Sequence, residues 1–150
     1  LGADAAYDKL DINWLTAFTY NTHTMFAAAE LGTNLNDQLP FYDTFTLGGF
    51  QHLSGYHTAQ LGGQYLAYGR LVYYKRVDQL PKAAGGGVYV GASLEAGNVW
   101  DTRDAVGPND LRKSIALFAS ADSIIGPLYF AYGLNDSGNS MFYLFLGRTF

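Results

Sequence analysis

The sequence predicts an all-β fold, an antiparallel transmembrane β-barrel with eight strands per chain. Three observations carry this prediction. Apolar side chains recur with period two, most clearly in the last ten residues, where Phe142, Leu144 and Leu146 share one face and Met141, Tyr143 and Phe145 the other. Neither of those faces is clearly polar, whereas a half-buried strand of a soluble sheet shows a polar one. Charged residues make up only 15% of the chain and aromatics 16%, with 18 Gly, against about 25% charged in soluble domains. No run of about 18 apolar residues forms a transmembrane helix. Apolar lipid-facing positions alternating with small or polar lumenal ones account for a mean hydropathy near zero. A soluble β-sandwich is the alternative that low charge argues against.

A chain of 150 residues is expected to form one domain. The formal net charge of −4, with no basic stripe, excludes nucleic acid as a partner. The absence of Cys excludes disulfides and thiolate metal sites, and His23, His52 and His57 show no ligand spacing with carboxylates. No cofactor is expected. No signal peptide heads the sequence, as expected of a mature chain or a piece of a longer one.

Eight strand-like runs follow in order. The first, residues 7–20, has Leu10, Ile12, Trp14, Thr16, Phe18 and Tyr20 on one face, with Asp11, Asn13, Ala17 and Thr19 opposite. A turn at Asn21-Thr22 leads to the second, residues 23–31. Residues 32–44, broken by Pro40, are expected to be loop. A short third run covers residues 45–50, and residues 51–60 are a longer loop. The fourth run, residues 61–76, places Tyr65, Ala67, Gly69, Leu71 and Tyr73 on one face. The fifth, residues 88–100, sets Val88, Val90, Ala92, Leu94 and Ala96 against Tyr89, Gly91, Ser93, Glu95 and Gly97. The sixth and seventh, residues 111–121 and 127–134, flank a short turn, and the eighth closes the chain. Trp14, Tyr20, Tyr73, Tyr74 and Trp100 are candidates for interfacial aromatic girdles.

Five segments in order resemble the C-terminal barrel half of the bacterial surface antigen superfamily. Phe45-Thr46-Leu47-Gly48-Gly49 with Leu53-Ser54-Gly55-Tyr56 is similar to that family's lumen-loop motif. Leu61-Gly62-Gly63-Gln64 opens the next strand, and Glu95-Ala96-Gly97 resembles its acidic-x-Gly strand. Leu111-Arg112-Lys113-Ser114 leads to Gly126-Pro127-Leu128, and Gly147-Arg148-Thr149-Phe150 matches the family's ending. The superfamily takes in BamA-like assembly barrels, two-partner secretion transporters and patatin-like autotransporters of the PlpD type, and the Leu-Ser-Gly-Tyr and Ser-Leu-Glu-Ala-Gly-Asn forms are most similar to the last.

The resemblance implies a loop folded into the lumen. In most members an Arg at its tip pairs with the strand's acid. Here Ser54 holds that position and the acid is Glu95, so Glu95 needs other partners, with Arg70 and His52 as candidates or a solvated lumen instead. The lipase motif Gly-x-Ser-x-Gly of the patatin-like subgroup is missing, since Gly91-Ala92-Ser93-Leu94-Glu95 fails at its last position, and no catalytic residue is expected. The resemblance further implies an outer-membrane location in a Gram-negative bacterium, lipids and the barrel-assembly machinery as partners, and a translocator, anchor or assembly role. Alternatives are a passive pore, or the anchor of a patatin-like lipase. The family's barrel usually has sixteen strands, so eight per chain suggest a homodimer sharing one barrel through first and last strands, the alternatives being a closed eight-stranded barrel of one chain and a piece of a longer protein. The C-terminal signal and seam would involve Phe142, Leu144, Leu146, Gly147, Arg148 and Phe150. A periplasmic C-terminus would put residues 21–22, 51–60, 101–110 and 135–140 outside, and 32–44, 78–86 and 122–125 in the periplasm.

Overall fold

The computed structural model describes residues 7–36, 38–78, 87–123 and 125–147. Within them, period-two segments become nine antiparallel strands: β1 (Lys9–Tyr20), β2 (His23–Asn34), β3 (Phe45–Leu47), β4 (Leu61–Gly63), β5 (Tyr65–Asp78), β6 (Val88–Trp100), β7 (Arg112–Ala121), β8 (Leu128–Asn135) and β9 (Ser140–Leu146). Seven form one sheet in the order β1-β2-β5-β6-β7-β8-β9, and β3 pairs with β4 in a separate ribbon. Each strand of the sheet hydrogen-bonds its neighbour in sequence or across that ribbon. Between the two edge strands, β1 and β9, this arrangement satisfies backbone polar groups without water, as a bilayer requires.

The two faces of this sheet differ as a membrane wall's should. Along β8 exposed and buried residues alternate without a break. The outward set includes Leu71, Leu94, Leu117, Phe130, Phe142 and Leu144. The inward set carries small or polar residues (Thr24, Ser93, Ser114, Ala116, Ser120) together with Phe26, Val72, Phe118, Tyr129 and Tyr143. A charge on the outward face should therefore be costly. Leu144→Arg, at a side chain 69% exposed and paired across to Phe130, is expected to destabilise the barrel by roughly 2–4 kcal/mol. Urea unfolding in lipid vesicles measures this.

Two expectations are corrected. The third run does not span the membrane. Phe45 and Leu47 point into a small core with Leu39, Leu53, Tyr56, Leu66 and Tyr68, and β3 is held by β4 alone. The sheet therefore has seven strands among the described residues, and β2 pairs directly with β5 from His23↔Lys75 to Thr33↔Tyr65. Consequently residues 35–64 form one long connection, at the same end as 101–111 and 136–139. The Asn21-Thr22 turn lies at the opposite end, with the 122–127 turn and the end of β9. The expected sidedness of residues 21–22 and 32–44 is thus reversed, which removes the 32–44 connection from the end where such barrels carry short turns.

Parity has a second effect. In an antiparallel sheet of seven strands the outer strands β1 and β9 run in the same direction. All of β1 is exposed, including the inward Leu15, so the interior beside this edge is uncovered. The aromatic candidates also divide. Tyr20 and Tyr73 are exposed on the outer face at one end, and Trp14 is exposed but lies mid-strand opposite Ala29. Tyr74 faces inward and Trp100 is buried.

Candidate functional site: the lumenal loop and its acidic anchor

The long connection turns inward and its tip, residues 48–60, seats on the inner wall. Left-handed backbone at Gln51 (φ 56°), Leu53 (φ 72°), Gly55 (φ 88°) and Ala59 (φ 54°) winds the tip tightly, which costs free energy at the three non-glycine positions. Internal bonds hold it: the Gly48 N–H donates to the His52 carbonyl at 2.7 Å and the Gly49 N–H to the Tyr56 carbonyl at 3.1 Å. Gln51, Leu53, Ser54 and Tyr56 are all buried.

Glu95, on β6 and only 4% exposed, is the anchor. The Ser54 N–H donates to one carboxylate oxygen at 2.7 Å and the Ser54 hydroxyl to the other at 2.8 Å. Ser93, two residues earlier on the same face, donates a short bond, and Ser114, directly across in β7, donates at 3.2 Å. Four donors surround one carboxylate. Such bonds to an ionised acceptor are worth more than neutral ones. A backbone N–H and three hydroxyls thus compensate the buried charge where the resemblance leads one to expect a guanidinium.

The expected substitutes for that guanidinium serve other bonds. Arg70 lies opposite Glu95 in β5, but its guanidinium donates to the Gln51 carbonyl at 2.7 Å and lies over the Phe26 ring. His52 pairs with Glu30 at 3.3 Å and meets Tyr68 edge-on. Both hold the loop to the wall, so they belong to the site in a different role.

A second set of contacts fixes the far side of the tip. The Gly55 N–H donates to the Tyr143 hydroxyl at 2.8 Å, and that hydroxyl donates to the Tyr56 carbonyl at 3.2 Å. The Asn135 amide donates to the Gly55 carbonyl at 3.1 Å. The Tyr56 hydroxyl donates to Asp136 at 3.0 Å, so Asp136 belongs to this contact between loop and hairpin. Phe50 packs among Phe118, Tyr143 and Phe145, stacked on the last with ring centroids 5.6 Å apart. Contact is close enough that a Cβ on Gly133 of β8 would sit 2.7 Å from the Ser54 Cβ, and one on Gly55 would sit 2.8 Å from the Asn135 nitrogen. Tyr143, Asn135 and Gly133 escaped the sequence reading. Alternation sets Tyr143 on the face opposite Phe142 and Gly133 on the face opposite Tyr132, whereas Asn135 falls in the expected 135–140 connection, and nothing local marks any of them as a loop contact.

Where the connection begins, Lys9 pairs with Asp43 at 3.2 Å. A hydrogen bond from Tyr7, then Lys9, holds the Asp43 carboxyl below the usual carboxylate range. Among the described residues no three His, Asp or Glu side chains converge as a metal site would need. Of the seam and C-terminal residues, Phe142, Leu144 and Leu146 face outward on β9. Gly147 lies just beyond the strand, with φ 121° and its N–H bonded to the Pro127 carbonyl at 2.8 Å. Arg148 and Phe150 lie outside the described residues.

No curated protein matches the chain. The Omp85 superfamily domain does, over residues 1–150. An all-β antiparallel wall, apolar outside, agrees with that match. The chain therefore belongs to the Omp85 superfamily, the surface-antigen family of β-barrels of the Gram-negative outer membrane.

Proposed function

We propose that this chain supplies part of a plugged, non-enzymatic outer-membrane barrel of the translocator or assembly type. The loop tip held by Glu95 and Tyr143 carries this reading. A passive pore needs an open lumen, and here a loop with its own small core occupies the interior against β5 to β9. Outer-membrane lipids and the barrel-assembly machinery are the partners under this reading. The C-terminal segment ending in Arg148, Thr149 and Phe150 would be the signal that machinery meets.

The strand count bears on closure. Two copies related by rotation about the barrel axis would bring β1 of one beside β9 of the other in parallel, and so would closure of one chain on itself. An odd number of further strands would give antiparallel pairing on both edges, and we favour that arrangement over the homodimer. Unpaired edges cannot persist in lipid.

Planar-bilayer conductance of the native protein tests the plugged reading. Rare, brief openings are expected. A steady, large conductance would make the passive pore the correct function.

A further inference from the structure

On the outer side of the wall, at the end that carries the long connections, lies a groove of about 640 Å³. Its floor is the lipid-facing surface of β1, β2 and β5, including Ile12, Leu31 and Ala67. Its other walls are Trp100 and, from the 101–111 connection, Arg103 and Val106. Trp100 has the same outward parity as Leu94, which is 56% exposed, yet Trp100 is only 7% exposed. The connection therefore folds outward over the wall at this point.

Three observations identify what the groove takes. Its floor is continuous with the lipid-facing band, so a hydrocarbon chain enters it without leaving the membrane. Arg103 is exposed and forms no ion pair among the described residues. The indole N–H of Trp100 is buried with no acceptor among the described residues, and buried polar groups are nearly always paired. The apolar floor, the free guanidinium and the unpaired N–H match the parts of one molecule.

We propose that this groove binds an acylated, phosphate-bearing lipid from the leaflet at this end. One acyl chain lies along Ile12, Leu31 and Ala67. Arg103 pairs with the phosphate, for which a guanidinium fork is suited, and Trp100 donates to a headgroup or ester oxygen. Asp101 and Asp104 flank Arg103 in sequence and weaken its pull on a bare anion, so the acyl chain is needed for retention and inorganic phosphate does not compete. The site is on the opposite face of the wall from the lumenal loop, and its test is independent of whether the barrel is plugged.

Native mass spectrometry of the detergent-solubilised native protein tests this with two probes, phosphatidylglycerol and a diacylglycerol with the same chains. One phosphatidylglycerol should be retained per chain, with diacylglycerol about tenfold weaker, the scale of one lost charged hydrogen bond. Arg103→Ala should reduce phosphatidylglycerol to the diacylglycerol level. Ala67→Trp, which fills the floor, should reduce both, and Val106→Asp on the exposed connection repeats that test should Ala67→Trp not fold. A heat-dependent gel shift like that of the native protein identifies folded variants. Equal retention of the two lipids by the native protein, retention of neither, or unchanged phosphatidylglycerol retention in the folded variants would overturn the proposal.

Discussion

Glu95→Ala is expected to release the loop tip from the wall while leaving the sheet intact. The substitution deletes the acceptor for the Ser54 N–H and for the Ser54, Ser93 and Ser114 hydroxyls. No other carboxylate takes its place, because Glu30 is engaged with His52. Hydrogen bonds to a charged group are worth about 1.5–3 kcal/mol each. Losing them shifts the docking equilibrium by on the order of 10²-fold or more. The released segment carries Phe50, Leu53 and Tyr56, all sites for chymotrypsin. Cleavage within residues 48–60, mapped by mass spectrometry, should accelerate by about the same factor, because proteolysis follows the open population when opening is fast. Glu95→Gln should fall between, since an amide accepts at one oxygen but presents an N–H₂ to the Ser54 donors. A loop as protected in Glu95→Ala as in the native protein would refute the anchor role.

Gly133→Ala should release the same loop from its opposite side with Glu95 unchanged. The added Cβ would lie 2.7 Å from the Ser54 Cβ and 2.8 Å from the Gly55 nitrogen. The nearer contacts are the rigid parts of both segments, so relief requires backbone movement of the loop or of β8. Overpacking of this kind costs about 1–3 kcal/mol. Gly69→Ala is the matched control. Gly69 faces outward in β5, and its Cβ would meet only the Ala28 carbonyl at 3.8 Å, an ordinary contact. Accelerated cleavage in Gly133→Ala but not in Gly69→Ala is the expected pattern. Equal behaviour would show that strand glycines matter only through their general effect on the sheet.

Period-two alternation made the wall legible from the sequence. From Val88 onward the expected and observed strands agree closely, and the faces assigned to Leu94, Ser93, Phe142 and Tyr143 are those the structure shows. The loop tip and Glu95 were legible as a pair because the resemblance marked both. Periodicity does not reveal a strand's partner. Phe45, Thr46 and Leu47 do alternate buried, exposed, buried, but their partner is Gly63-Gly62-Leu61 and not β2 or β5. That one pairing changed the strand count and with it the sidedness of the N-terminal turn. The partners of Glu95 were illegible for a related reason. The charge pattern points to Arg70, His52 or a solvated lumen, whereas a carboxylate is equally well met by a backbone N–H and hydroxyls whose convergence depends on register. Ser114 is a partner because it lies directly across from Glu95.

The loop tip also sets an order of events during biogenesis. Ser54 contacts Glu95, 41 positions further on, and Gly55 contacts Tyr143, 88 positions further on. Closing such intervals costs chain entropy before any contact repays it. The tip cannot complete its seat until β9, the last described strand, has paired with β8. Until then Phe50 lacks its cover by Tyr143 and Phe145, and Gly55 lacks its bonds to Tyr143 and Asn135. Seating of the loop is therefore a late step, and the protection of one short segment reports whether the final hairpin has been made.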